Sequence, residues 1–475
     1  MGRPEEAQEA PRRGRLLAQL AATLAAAFMG NTNAIIIGWG VVANWQLQQP
    51  GSLQLDTAQR ALLMAVVYLG CAFGCLAGGK VNARFGPRGT MLISLLPIVL
   101  SNGIISLSSS FQMLMAGRFL SGFSSGLPYA VYTLYISCTS SPAYRGMFGV
   151  LPDIISMLLI AAMIALGTFM KWTWLAVLCG LVPTVVPGLV LALLPHDPAW
   201  LVGQGRLAEA KRAAVVFDVD IDLADSSGLD GGDGGGGDGG GGVRETLRLL
   251  TKRKNLAPLV IMMTIIIGNA FSGYMAILTY SLEFFRRAGF ELDASVCSIL
   301  FVAIRVVAVL VTSQVVDRAG RRTLLLVSCG GVSVCYFLLV LCYQAPVLVP
   351  ALVVPAWLPL AVLLAAGFVY STGFACVPWC LVGELFPKSM RPVGGSVIPA
   401  SYSLFSMVAT YVFPVMLEAL GASGLFLFYA AVTAAIMAFV MVMLPETKGL
   451  SLAAIETLFD RPVPPSHTAR VLTVV

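Results

Sequence analysis

Apolar runs of 18 or more residues recur along the whole chain, separated by short stretches that carry most of its charge. A run of that length crosses a bilayer as a helix, because each residue rises ~1.5 Å and the hydrocarbon core is ~30 Å thick. The pattern predicts twelve helices, over 16–42, 59–81, 89–109, 113–137, 147–169, 172–194, 257–281, 292–316, 323–343, 354–382, 392–416 and 424–444. One long connection, 195–256, separates the first six (1–194) from the last six (257–444), and 445–475 forms a tail. The expected fold is all-α, a polytopic membrane protein of two pseudo-symmetric six-helix bundles.

Composition sharpens this. Hydrophobic residues make up 57% of the 475 and charged residues 11%, where a soluble chain carries about 25% charged residues. A soluble enzyme with a large core is excluded on that ground. No place at membrane depth combines nucleophile, base and orienting group either.

All but six of the 30 lysines and arginines fall on one side if both termini and loops 2–3, 4–5, 6–7, 8–9 and 10–11 share it. Arg60, Lys171, Arg286 and Arg287 lie opposite, and Arg118 and Arg305 lie within spans. The positive-inside rule makes the rich side cytoplasmic, so both termini are expected there. The net charge of +6 then reflects topology, and no nucleic-acid partner is expected. The first fifteen residues are polar and lack a small-residue cleavage site before a short apolar core, so no cleaved signal is expected.

Cys71/Cys75 and Cys376/Cys380 are spaced i,i+4, but the only histidines, His196 and His467, lie outside the spans. These cysteines read as packing residues, and neither metal nor cofactor is expected. Residues 226–242, SSGLDGGDGGGGDGGGG, read as a disordered, flexible segment within the cytoplasmic linker. They lack the lysine-serine ending and flanking strand of a phosphate loop.

Two loops at equivalent places in the halves resemble each other: GGKVNARFGPR (78–88) and VVDRAGRR (315–322). Each sets arginine, glycine and further basic residues at a helix–turn–helix junction. This suggests related halves rocking about a central site. With these loops, GRFLSGFSSG (117–126), YISCTSSPAYRG (135–146), LLPHDPAWLVGQGRLAEA (193–210), VPWCLVGELFP (377–387) and PETKGLSL (445–452) make the chain resemble the sugar-porter branch of the major facilitator superfamily. Gly38-Trp39 and the spacing of Pro142 look most like its arthropod facilitated trehalose and glucose transporters. His196 and Asp197 stand where the branch usually has Glu and Ser.

The resemblance implies facilitated sugar movement across the plasma membrane by alternating access. It also implies a cytoplasmic gate of Arg84, Arg88, Arg145, Asp317, Arg318, Arg321, Arg322, Glu384 and Arg391, paired between halves when the carrier opens outward. Ala83 and Cys138 replace two acids of that network, which leaves it lopsided.

In the central site most family amides are missing. The seventh span reads NAFSGYM (269–275), leaving Asn269, Ser272 and Tyr274 as candidate ligands. Trp379 in span ten offers an aromatic floor, or is a packing residue at a bent helix. In span eleven Tyr402 and Ser403 stand where the family usually has an Asn-Trp pair. Asp153 in span five and Arg305 in span eight bring opposite charges to positions that face the cavity in the family, and a salt bridge between them is expected. That pair would organise the site, bind an anionic or zwitterionic group, couple transport to a proton, or serve structure alone. Arg118 matches an arginine that pairs with a first-span acid in proton-coupled members, but MGNTNAIIIGWG (29–40) has no acid. A monomeric uniporter for a hexose or a trehalose-like disaccharide is the leading expectation. A polyol or small organic anion as cargo, proton symport, and a non-transporting nutrient sensor are the alternatives, the last disfavoured by the short tail.

Overall fold

The computed structural model describes residues 4–50, 52–129, 131–141, 144–182, 185–219, 253–288, 292–348, 354–386 and 391–448. The Gly-rich segment 226–242 and most of the tail lie outside them. Among the described residues every regular element is a helix. Eight helices are long and apolar enough to cross a membrane, or nine with the bent pair Gly14–Gly30 and Thr32–Gln46 taken as one span.

Two of the eight are 50-residue stretches, Thr57–Ser106 and Gly394–Met443. A straight helix of that length would reach ~75 Å, far more than a bilayer needs. Each is broken by a glycine with positive φ, Gly86 (φ 72°) and Gly421 (φ 66°), so each is two spans. The fourth span is Phe111–Tyr129 continued by Tyr132–Thr139. With these the spans number twelve, as expected. Span 5 is Arg145–Gly167, and span 6 is Trp172–Leu181 with Val185–Leu193. Span 7 runs through Arg253–Ala270, Tyr274–Thr279 and Ser281–Ala288. Spans 8 and 9 are Ala294–Ala319 and Arg321–Leu348, and span 10 is Trp357–Thr372 with Val377–Leu385. Two short helices, Pro198–Gly203 and Leu207–Phe217, begin the long connection.

Small residues set the tightest packing. A Cβ on Gly70 would lie 2.1 Å from the Phe119 carbonyl oxygen, and one on Gly122 1.9 Å from that of Val67. Spans 2 and 4 therefore touch backbone to backbone, the small-residue seam that substitutes for hydrophobic driving force inside lipid. The repeated loops cap helix ends. At the first, Gly86 lies under the Trp200 ring, and Arg88 donates to the carbonyls of Leu191 (2.9 Å) and Ala192 (2.5 Å) at the end of span 6. At the second, Gly320 (φ 90°) gives room to Glu446, whose carboxylate accepts from the Arg321 and Arg322 N–H groups at 3.0 and 3.2 Å. Those N–H groups open span 9 and have no intrahelical acceptor. Both loops lie at what we term the basic end.

Candidate functional site

A cavity of about 450 Å³ lies between the first six spans and the last six. Its wall draws on spans 1, 4, 5, 7, 8, 10 and 11, mostly in the parts nearer the basic end. Four aromatic rings line one side. Trp379 meets Tyr402 edge-on at 5.4 Å and Tyr129 at 6.1 Å between ring centroids. Tyr132 stands beside Tyr129 at 6.0 Å. Pro378 starts the short helix that carries Trp379, and the irregular turn before it, 373–376, aims the indole inward.

Asp153 and Arg305 both line this cavity. No salt bridge joins them in this conformation, contrary to expectation. Asp153 is exposed to the open space on the span 5 side. The Arg305 guanidinium instead lies over aromatic faces, its carbon 5.1 Å from the Tyr274 centroid and 6.0 Å from that of Tyr370. These two rings are stacked at 4.4 Å and 8°. Ring faces attract a desolvated cation by about 2 kcal/mol, which holds Arg305 without a carboxylate. Its Nε and Nη1 are buried and have no hydrogen-bond partner.

Asn269 reaches the wall, but its amide is occupied. Nδ2 donates to the Phe374 carbonyl, and Oδ1 accepts from Tyr370 Oη at 3.0 Å. It thereby joins the break in span 7 to the break in span 10. Ser272 and Tyr274, also expected as ligands, do not line the cavity. The Ser272 hydroxyl donates to the Asn269 carbonyl at 2.7 Å, and Tyr274 is buried between Tyr370 and Phe301. The helix turn at Gly273 (φ 84°) rotates both away. Sequence reasoning missed Tyr129, Tyr132, Tyr370 and Asn33 on the wall. The i,i+3 tyrosines of GLPYAVYT were the available signal for the first two.

Arg118 is buried at 2% exposure. It donates to the carbonyls of Ile36 (3.2 Å) and Leu63 (3.5 Å) and sits 4.9 Å from the Trp39 centroid. It holds spans 1 and 2 with carbonyls and an aromatic face, and among the described residues no acid pairs with it.

Among the described residues, the gate bonds seen at the basic end lie within one half. Arg321 Nε donates to Glu384 at 3.1 Å, and Thr447 Oγ1 to the same carboxylate at 2.7 Å. Arg322 Nη2 reaches the Met441 carbonyl at 2.6 Å. Arg88 caps span 6, as above, and Arg84 rests on Phe85 at 5.4 Å. The side chains of Arg145, Asp317, Arg318 and Arg391 lie outside the described residues.

The opposite end differs. Glu283 of span 7 accepts at one oxygen from Arg60 (3.2 Å), Asn44 (3.1 Å) and Gln48 (3.3 Å), all from the first half. Arg286 lies 4.1 Å from the Trp45 ring centroid. Beside this contact lies a crevice of about 20 Å³.

A twelve-span bundle with a central cavity between its first six and last six spans has the architecture of the major facilitator fold. The solved proton:xylose symporter XylE bound to 6-bromo-6-deoxy-D-glucose shares that fold, with TM-score 0.70 at 18% identity over 94% of this chain and 99% of that one. A partially occluded inward open conformation of the xylose transporter XylE from E. coli aligns with TM-score 0.72 at 18% identity, over 92% of this chain and 100% of that one. The chain belongs to the sugar (and other) transporter family, whose model matches residues 19–459. Trehalose transporter 1 of Drosophila melanogaster is 31% identical over 389 residues, which is 81% of this chain and 45% of that protein. The facilitated trehalose transporter Tret1 of Drosophila yakuba matches to the same extent. The chain thus spans about half the length of the curated relatives it matches.

Proposed function

We propose that the chain is a facilitative sugar carrier working by alternating access, with a hexose or a trehalose-like disaccharide as cargo. The observation that carries this reading is the cavity of about 450 Å³, within the size range of small-ligand sites, with an aromatic side and free polar groups. Trp379, Tyr402 and Tyr129 offer ring faces to the C–H faces of a sugar. Asp153 and Arg305 replace the missing amides, the carboxylate accepting from vicinal hydroxyls and the guanidinium donating to them. Asn269 shapes the wall through its bonds to Tyr370 and Phe374, while Ser272 and Tyr274 support it from behind. Arg118, bound to the carbonyls of Ile36 and Leu63, has no acidic partner among the described residues, which supports uniport.

The excess of basic residues supports a cytoplasmic basic end with both termini inside, and a plasma-membrane location and action as a monomer belong to the same proposal. The cavity then faces inward. In the outward-facing state Arg84, Arg88, Arg145, Asp317, Arg318, Arg321, Arg322, Glu384 and Arg391 would pair across the halves. The unpartnered Nε and Nη1 of Arg305 favour one second reading, a small organic anion as cargo.

Uptake of labelled glucose, trehalose and a polyol into proteoliposomes, with and without a pH gradient, tests the proposal. Saturable uptake of a sugar, indifferent to the gradient and reduced about a hundredfold in Arg305→Ala, is expected from a lost charge-assisted bond of ~3 kcal/mol. No carbohydrate uptake, with uptake of a carboxylate instead, would favour the second reading.

A further inference from the structure

The Glu283 contact has features that the cavity alone does not require. Arg60 and Glu283 are 8% and 13% exposed, so the pair is largely dry. Every donor described above comes from the first half: Arg60 opening span 2, Asn44 and Gln48 at the end of span 1. Asn44 is itself 1% exposed, and its Oδ1 accepts from Arg60 at 3.5 Å. The acceptor sits on the short helix Ser281–Ala288, which follows the break at Gly273. Glu283 therefore lies on a segment with a hinge behind it and faces donors anchored in the other half.

Such a pair is suited to opening. In a dry site its attraction largely offsets the desolvation of both charges, so its net contribution is modest. When the ends part, water hydrates the carboxylate, and Arg60 keeps the Asn44 oxygen. Neither state strands a charge. An apolar seal of the same area would stay shut more firmly, and an exposed pair would hold almost nothing.

We propose that Glu283, with Arg60, Asn44 and Gln48, is a polar latch that closes the outer end and sets how long the carrier dwells facing inward. These are positioning residues that act through the equilibrium between states and do not touch cargo. The inference rests on the alternating-access reading but not on the identity of the solute. Removing the latch shifts the population outward and leaves the cavity wall unchanged.

The test uses the full chain in proteoliposomes with Thr279→Cys as a probe. Thr279 is 5% exposed and lies below the latch. Modification by an impermeant maleimide added from the outer side is read at position 279 by peptide mass spectrometry. Native Cys380, exposed in the inward cavity, is read with the reagent on the basic side. Glu283→Gln should raise modification at 279 about tenfold, a shift of about 1.4 kcal/mol, and lower it at Cys380. The exchange Arg60→Glu with Glu283→Arg should restore much of the original ratio. If Glu283→Gln does not fold, Asn44→Asp, which sets a like charge against Glu283, should open the same end. An unchanged ratio in the folded variants overturns the latch. So does a rise at 279 without a fall at Cys380, because that is local fraying. Labelling needs no solute, so absent sugar uptake would count against the transport reading and leave this result standing.

Discussion

The two ends of the molecule use the same kinds of side chain in opposite ways. At the basic end, Arg88, Arg321, Arg322, Glu384 and Glu446 bond within their own halves, to helix ends and to one another. At the other end, Glu283, Arg60, Asn44 and Gln48 bond between halves. A link inside one half persists in every state of a rocking carrier, so it contributes to stability. A link between halves exists in one state, so it contributes to the choice of state. Substitutions at the two ends should therefore separate melting temperature from sidedness.

The largest expected effect comes from the backbone seam that makes the first half rigid. Gly122→Val puts a branched side chain where even a Cβ would be 1.9 Å from the Val67 oxygen. Spans 2 and 4 would have to separate, at a cost above about 4 kcal/mol. No monodisperse protein should survive size-exclusion chromatography in detergent. A folded variant with normal labelling at Cys380 would show that the half tolerates separation.

Glu446→Ala comes next. Its carboxylate accepts from the Arg321, Arg322, Thr447 and Lys448 N–H groups, four donors at one helix start and the adjoining turn. Losing this cap costs about 1–2 kcal/mol. The melting temperature should fall, while the ratio of inner to outer labelling stays put. A changed ratio at constant melting temperature would reverse the assignment of that end.

Trp45→Leu tests the other end with a smaller change. It removes the ring under Arg286 and leaves a smaller apolar side chain, at about 0.5–1 kcal/mol of lost cation–π attraction. Outer labelling at position 279 should rise about two- to fivefold with little change in melting temperature. A lower melting temperature with an unchanged ratio would mean that the Trp45–Arg286 contact holds structure in both states.

The span pattern was legible because lipid leaves a chain no other way to satisfy its backbone. Gly86 and Gly421 were harder, since helix continues almost through both turns. The cavity was legible as to Asp153, Arg305, Trp379 and Tyr402, which reach its wall. It was not legible as to Ser272 and Tyr274, because register along a motif does not fix which way a helix faces after a left-handed residue. The expected bridge from Asp153 to Arg305 failed for a related reason. Two tyrosine faces compete for the guanidinium, and those rings are brought together by span 10, far away in sequence. The contact at the end opposite the basic one left no motif at all. Arg60 and Glu283 are 223 residues apart, and each reads alone as a charge at a span end.

The smallest effect is a pH dependence confined to the start of the connection that follows the first half. Asp197, at a position where related carriers usually have Ser, caps Pro198–Gly203 by accepting from the Trp200 N–H at 3.0 Å through Oδ2. Its Oδ1 is buried without a partner. Burial raises the carboxyl from the ordinary 3.8 to about 6, against the opposing pull of that N–H bond. A folded value above the unfolded one means that the protonated form favours the fold. The contribution is complete below about pH 4 and is lost as pH rises through about 6. Melting temperature should thus decline by about 1–2 °C more between pH 5 and 7 in the native chain than in Asp197→Asn, which keeps a cap acceptor but does not titrate. The ratio of inner to outer labelling should be the same in both proteins at each pH, since among the described residues the bonded partner of Asp197 lies in the same connection, which packs on the first half. Parallel melting curves would remove Asp197 from the titration, and a ratio that moved with it would tie this corner to the choice of state.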